Sequence, residues 1–356
     1  MKKFLFLLLL LIPLPVEAIS AKSAILIDQD SGRILFSKDA FTPSLIASTT
    51  KIMTALVTIE NQDLDKIVTV DEKVLDSYGS GIYIKVGEKI SILDLLYGLM
   101  LRSGNDAAIV LANNVFKSQK EFVKMMNKKA LELGMKQTIF YNPHGLEESD
   151  GSGNTSTAYD MAILMQAAMQ NKDFQKITKT TSYTAKSSEK TYLWQNKNKL
   201  LKSYKYTTGG KTGFTQKARR TLVTSASKDG KSLIAVTFND PNDFSNHQKL
   251  YEEYFAKYEI YTLVSKDKPI KDKSYKNETL YIKNDIKALL TKDEKKQIKI
   301  KTTLEKENKF NTSNTVGTIK VYLNNTLLKE EPIYLKSKKS QQGQKSIWEK
   351  IKSWFH

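Results

Sequence analysis

The sequence predicts an α+β fold followed by a small all-β domain, and three observations point that way. Alternating apolar runs of hairpin type occur at Ser23 to Lys38 and again at Thr221 to Phe238. Between them lie segments whose apolar residues recur every three to four positions, the period of a half-buried helix. After Tyr261 the chain turns Lys-rich and carries only short alternating runs, which suggests a small β-sandwich. A length of 356 residues suits two such domains.

Met1-Lys2-Lys3, the apolar run Phe4 to Ile12, the prolines Pro13 and Pro15, and Ala18 have the layout of a cleaved secretory signal peptide. The apolar run is shorter than the ~20 residues of a spanning helix. Ser23 to Lys38 then reads as a hairpin around Asp30-Ser31-Gly32.

Ala47 to Leu56 follows, with Ser48 or Thr49 as an expected helix cap and Ile52, Met53, Leu56 and Ile59 as one buried stripe. Ser48 and Lys51 stand three apart, so a helix brings the amine within reach of the hydroxyl. A lysine kept neutral by burial and nearby cations can take a serine proton without any histidine. The same spacing recurs at Ser187/Lys190, Ser225/Lys228 and Ser265/Lys268, so alone it carries little weight.

Lys66 to Glu88 is a polar, possible-strand excursion. Ser91 caps an apolar helix to Arg102, and a second apolar helix spans Ala107 to Phe116. Ser103-Gly104-Asn105 is thus pinned between two buried elements and is a rigid place for polar groups. The same tripeptide at Ser152-Gly153-Asn154 has no apolar flanks and reads as plain loop. Lys120 to Leu133 is an amphipathic helix stopped by Gly134, and Tyr141 to Leu146 is a turn in which His144 reads as a structural hydrogen-bonder. Ser156-Thr157 caps a helix from Ala158 to Gln170. Gly209-Gly210-Lys211-Thr212-Gly213 opens the next strands, which turn at Asp229-Gly230. Lys211 offers a point charge for a carboxylate, Thr212 a hydroxyl, and Gly213 close backbone approach.

Composition narrows the chemistry. The chain has no cysteine, which removes disulfides, thiolate metal sites and thiol nucleophiles. His144, His247 and His356 lack carboxylates at ligand spacing, so neither a metal nor a cofactor is expected. The formal charge is +18, carried almost wholly by Lys. Nucleic-acid recognition usually draws on Arg forks, so an anionic membrane or wall polymer suits an exported chain better, and a Lys- and Asn-biased composition that only keeps the surface soluble is the other reading.

Ser48-x-x-Lys51, Ser103-Gly-Asn105 and Lys211-Thr-Gly213 occur once together in this order, the trio shared by penicillin-binding proteins and class A β-lactamases. From Ala21 to Tyr261 the chain resembles the low-molecular-mass penicillin-binding proteins, specifically the D-alanyl-D-alanine carboxypeptidases of the peptidase S11 kind. Ser44 to Thr54, Leu95 to Ala112, Asn142 to Leu146, Ser156 to Asp160 and Gly210 to Ala226 carry the likeness.

The resemblance implies a β-lactamase/DD-peptidase-like catalytic domain, an antiparallel sheet flanked by helices. It also implies a peptidoglycan stem peptide ending in D-Ala-D-Ala as substrate and β-lactams as inhibitors. By the same resemblance Ser48 is the acylated nucleophile, Lys51 the base, Ser103 a proton relay and Asn105 an orienting group. Lys211 and Thr212 hold the terminal carboxylate, while the N–H groups of Ser48 and Phe214 form the oxyanion hole beside Gly213. Phe214 stands where some relatives carry histidine, and Arg219 where many have glycine. No E-x-x-L-N loop lies between Asn105 and Lys211, which sets the chain apart from class A β-lactamases. A β-lactamase on the same fold is the runner-up, a D,D-endopeptidase would use the same residues, and an inactive wall-peptide-binding scaffold is the non-enzymatic alternative.

The expected layout is a signal peptide at 1–18, the catalytic domain at 19–262, a β-sandwich at 263–336, and a linker with an amphipathic helix at 337–356. In that tail Ile347, Trp348, Ile351, Trp354 and Phe355 share one face opposite Lys345, Glu349, Lys350 and Lys352, the pattern of a helix lying at a membrane surface. The expected location is the extracytoplasmic face of the cytoplasmic membrane, peripherally anchored through residues 345–356.

Overall fold

The structure, a computed structural model, describes residues 19–275, 279–305 and 315–336. The expected leader and the expected amphipathic tail lie outside the described residues. The chain forms two compact units, one running to Ser227 and resuming over Ser232–Tyr251, the other taking Lys228–Lys231 and the chain from Glu252 onward.

The first unit is built on a five-stranded sheet. Its strands are β1 (Ser23–Asp28), β2 (Ile34–Lys38), β3 (Thr207–Thr215), β4 (Arg219–Lys228) and β5 (Lys231–Phe238), in the spatial order β2-β1-β5-β4-β3. Every residue of β1 is buried, as expected for a strand covered on both faces. It pairs antiparallel with β5 from Ser23↔Phe238 to Asp28↔Leu233. β3 pairs antiparallel with β4, Lys211 opposite Val223 and Gly213 opposite Thr221. As the outer strand, β3 carries the Lys-Thr-Gly triplet in its middle rather than at its opening.

The helices that accompany the sheet include α1 (Lys51–Asn61), α2 (Ile92–Tyr97), α3 (Asn105–Phe116), α4 (Gln119–Glu132), α5 (Ala158–Ala168), α6 (Lys172–Lys179) and, after β5, Asp243–Lys257, whose His247 and Tyr251 bond Thr224 of β4. In α4 only Phe122, Met126 and Ala130 are buried, the i, i+4, i+8 stripe of a helix resting on the core. In α3 every residue from Asn105 to Asn113 is buried, so this helix runs through the interior. Ile52, Leu56, Leu95, Leu99, Val110, Leu111, Phe122, Phe140 and Phe174 join one cluster. Each such side chain contributes roughly 1.5–3 kcal/mol on burial.

Two expectations about helix starts are corrected. Neither Ser48 nor Thr49 caps α1, because Ala47–Thr50 forms a tight helical turn of its own, with Thr50 at the cap position and no side-chain capping bond. The Thr49 and Thr50 hydroxyls donate backward instead, to the Ile46 carbonyl at 2.6 Å and the Ala47 carbonyl at 2.8 Å. Hydroxyls used this way are lost as N-caps. The second apolar helix begins at Asn105, two residues before the apolar periodicity starts.

In the second unit, Thr279–Tyr281, Thr326–Lys336, Thr315–Leu323 and Ile298–Leu304 form a four-stranded sheet in that order, and Glu259–Val264 pairs with Ile286–Leu290. Leu280, Ile282, Ile286, Val316, Ile319, Val321 and Ile333 make its core. Asn324, at φ 54°, turns the hairpin between the two longest strands. A short helix, Lys292–Lys296, opens on a capping box of Thr291 and Glu294 and adds to the strands. Among the described residues no helix is long and apolar enough to cross a membrane.

Candidate active site

The Ala47–Thr50 turn is held from below by a segment far away in sequence. The Ile46 N–H donates to the Asn154 carbonyl at 3.2 Å, and Asn154 Nδ2 donates to Thr50 Oγ1 at 3.0 Å. Asn154 Oδ1 accepts from Tyr141 N at 2.7 Å, which ties the 141–154 loop to the same turn. Gly145, at φ +90°, lies directly against the Ala47 carbonyl, where a Cβ would collide with it. Asn154, 2% exposed, is therefore a buried anchor and not part of a plain loop, which corrects the reading of the second Ser-Gly-Asn. Its setting has no apolar periodicity, so the sequence held no signal for it.

Lys51 begins α1 with its side chain fully buried. Its Nζ lies 3.0 Å from Ser48 Oγ, 2.7 Å from Asn105 Oδ1 and 2.6 Å from the His144 carbonyl; the last two oxygens accept its N–H groups, which leaves the lone pair of the neutral amine for the Ser48 hydroxyl. Burial drives its pKa well below the ordinary lysine value, and the charges of Lys211 and Lys197 push the same way against Asp106. His144 serves through its carbonyl, while its half-buried ring has a pKa lowered to about 3 by desolvation and by Lys51. Its Nδ1 accepts from Leu146 N at 3.2 Å, so this ring acts as a neutral structural partner.

Ser103 ends the helical run after α2 in the left-handed region, φ 65°, and this reversal starts α3 at Asn105. Asn105 receives Lys51 on Oδ1 and donates from Nδ2 to the Tyr78 carbonyl at 2.6 Å, while its N–H reaches the Ser80 carbonyl at 2.7 Å. The next residue, Asp106, accepts the N–H groups of Ile82 and Tyr83.

β3 passes beside the Ser48 turn. A Cβ at Gly213 would stand 3.0 Å from Ser48 N and would collide with Thr221 Oγ1, so only glycine lets the strand lie this close. Thr221 Oγ1 in turn donates to the Ile46 carbonyl at 3.1 Å. Ser48, Ser103, Thr212, Gly213 and Phe214 line one pocket of about 420 Å³ together with Lys197, Lys199, Arg220 and Asp243. Lys211 lies beneath that surface, 1% exposed, with Nζ donating to the Thr212 carbonyl at 2.7 Å. Burial, reinforced by Lys197, lowers its pKa to about 7. Arg220 is held by Asp243 at 2.6 Å and lies over the Phe244 ring.

The eight residues singled out in the sequence thus converge: Ser48, Lys51 and Asn105 by direct bonds, Ser103, Thr212, Gly213 and Phe214 around the pocket, and Lys211 under it. Lys197, Lys199, Arg220 and Asp106 were missed. Arg220 stands next to the residue flagged as a departure, and Asp106 directly follows the Ser-Gly-Asn triplet, so only the spatial assembly shows what they do.

A serine hydroxyl thus lies on a buried lysine, beside an outer strand that a glycine lets approach. Residues 13–242 match the family described as D-alanyl-D-alanine carboxypeptidase, peptidase S11, and residues 258–340 match the penicillin-binding protein 5 C-terminal domain. The chain is 34% identical over 343 residues to the D-alanyl-D-alanine carboxypeptidase DacF of Bacillus subtilis, covering 91% of this chain and 87% of that protein. Penicillin-binding protein 5 from Haemophilus influenzae superposes with a TM-score of 0.74 at 25% identity, over 89% of this chain and 97% of that one. A D-alanyl-D-alanine carboxypeptidase structure from Mycobacterium tuberculosis gives 0.65 at 34% identity, over 68% and 94%. The chain belongs to the peptidase S11 family of D-alanyl-D-alanine carboxypeptidases.

Proposed function

We propose that this protein removes the terminal D-alanine from peptidoglycan stem peptides through an acyl-enzyme on Ser48, and that β-lactams acylate the same serine. The observation that carries the reading is the 3.0 Å hydrogen bond between Ser48 Oγ and a fully buried Lys51 whose pKa is held down. Neutral Lys51 takes the Ser48 proton as Oγ attacks the penultimate D-Ala carbonyl. The N–H groups of Ser48 and Phe214 hold the resulting oxyanion, each such donor being worth ~10²–10³ in rate. As the C–N bond breaks, the proton held by Lys51 passes through the Ser103 hydroxyl to the leaving amine of D-Ala; water then gives a proton to Lys51 as its oxygen attacks the ester, and that proton returns to Ser48 Oγ as the shortened peptide leaves with a new carboxyl group. Lys197, Lys199 and Arg220 give the pocket a positive field that favours a substrate ending in a free carboxylate.

The 141–154 loop supports slow deacylation of penicillin. Its Glu148 accepts from Asn142 Nδ2 at 2.8 Å, and its Glu147 accepts the Thr215 hydroxyl, so both carboxylates brace the loop. In this reading 19–262 is the catalytic domain, 263–336 a spacer, and 337–356 a linker and surface anchor on the extracytoplasmic side of the membrane.

Intact-protein mass spectrometry after brief exposure to benzylpenicillin tests the proposal, with D-Ala release from a D-Ala-D-Ala peptide measured alongside. The expected result is one persistent adduct and free D-Ala, both lost in Ser48→Ala. An adduct that survives in Ser48→Ala would sink the assignment.

A further inference from the structure

We propose that Asp106 is a positioning residue of this active site, fastening segment Gly79–Tyr83 beside the pocket and opposing, with its negative charge, the lysines that surround Lys51. The inference rests on the Ser48–Lys51 reading above. Asp106 is 5% exposed, and its carboxylate accepts four contacts. Ile82 N lies 3.0 Å from Oδ1 and 2.9 Å from Oδ2, Tyr83 N lies 2.7 Å from Oδ2, and Ala107 N lies 2.8 Å from Oδ1. Hydrogen bonds from N–H groups to an ionised acceptor are about twice as strong as neutral ones.

The grip falls on a segment that needs it. Tyr83 sits at φ 60°, a left-handed conformation that an aromatic residue adopts only when its surroundings hold it there. Its ring is 74% exposed, so side-chain packing does little of that work. What holds it is backbone: its N–H to Asp106, and its carbonyl, which accepts Lys190 Nζ at 3.3 Å. Two glycines let the chain close around the carboxylate. A Cβ at Gly104 would stand 2.8 Å from Oδ1, and one at Gly81 would stand 3.1 Å from Oδ2. The segment carries Ser80, which lines the pocket and accepts Lys197 Nζ at 3.1 Å. Asn105 holds the same segment at the Tyr78 and Ser80 carbonyls while also binding Lys51. Two adjacent side chains thus link the pocket wall to the general base.

The charge has its own effect. Lys51 is faced by Lys211 from β3, Lys197 from the chain before Leu200, the neutral His144 from the 141–154 loop, and Asp106 from α3. Asp106 raises the Lys51 pKa while burial and both lysines lower it. Removing the charge while keeping the shape must lower it further.

The test uses the full chain carrying Asp106→Asn, with kcat and KM for D-Ala release and the rate of benzylpenicillin acylation followed against pH. The expected result is a fall in kcat/KM of roughly 10–100-fold, the scale of a displaced binding wall. The acid limb of the profile, which reports Lys51 losing its proton, moves to lower pH. Adding Tyr83→Gly to Asp106→Asn recovers part of the loss by removing the left-handed cost, and leaves the acid limb where Asp106→Asn put it. Gly81→Ala presses on Oδ2 but keeps the charge, so it raises KM without moving the acid limb, and it serves if Asp106→Asn does not fold. Wild-type kcat/KM in either single variant overturns the proposal, as does a loss in Asp106→Asn with an unmoved acid limb. An unsubstituted chain with neither D-Ala release nor a penicillin adduct overturns the catalytic reading as well.

Discussion

Burying two lysines within one site costs stability, and the size of that cost is set residue by residue. Lys211 is 1% exposed, has one hydrogen-bond partner among the described contacts, and titrates at about 7 instead of 10.5. Its folded-state pKa is depressed, so the unfolded chain binds its proton more tightly. The penalty is therefore full below the folded value and fades as pH rises toward 10.5. The gap corresponds to roughly 4 kcal/mol at neutral pH. Lys211→Met keeps the volume and removes the charge, so it should stabilise the fold by about 1–4 kcal/mol at neutral pH while abolishing D-Ala release. Urea denaturation of both proteins at neutral pH and near pH 10 checks this, the difference shrinking at the higher pH. A variant less stable than the parent at neutral pH would show that Lys211 contributes to the fold rather than straining it. The identity of this residue was legible from its triplet, but its depth was not. The sequence suggested a lysine at a strand edge reaching for a carboxylate, whereas Nζ lies under the strand and the pocket's exposed cations are Lys197 and Lys199, with Arg220 half-buried beside Asp243.

Among elements, the nucleophile turn and β3 fit each other only because Gly213 lacks a side chain. Gly213→Ala should displace β3 from the Ser48 turn by a few tenths of an ångström or more, moving the Phe214 N–H away from the oxyanion. We expect kcat to fall on the order of 10²-fold, with a stability loss of only about 1–3 kcal/mol. Steady-state kinetics beside a thermal melt separates the two, and unchanged kcat in a folded Gly213→Ala protein would refute the oxyanion assignment. Periodicity revealed the helices well because their burial is local, as in Phe122, Met126 and Ala130 of α4. It failed at the start of α1 because the outcome there depends on distant partners. Thr50 meets Asn154 across 104 positions, and the Thr54 hydroxyl meets the Pro143 carbonyl across 89. No window of sequence contains both sides of such a bond. The Ser-Gly-Asn copy at 152–154 shows the same limit from the other side, since its importance lies wholly in what folds back onto it.

For the molecule as a whole, every residue of the proposed mechanism lies in the first unit, so under the proposed function the rest of the chain is free to serve location. The tail from Lys345 to His356 combines two tryptophans, two isoleucines and a phenylalanine with three lysines and one glutamate, a composition suited to an anionic lipid surface. Each lysine near such a surface adds about 1 kcal/mol, and salt screens that part within a Debye length of about 10 Å at moderate ionic strength. The full chain should therefore sediment with vesicles containing anionic phospholipid, less so as salt is raised, with a residue that only the apolar face explains. A chain ending at Gln344 should stay in the supernatant and release D-Ala from a soluble peptide at the same rate as the full chain. Sedimentation of the shortened chain would move the membrane contact to the Lys-rich second unit. Loss of its peptidase activity would mean that the tail supports the fold and not the address.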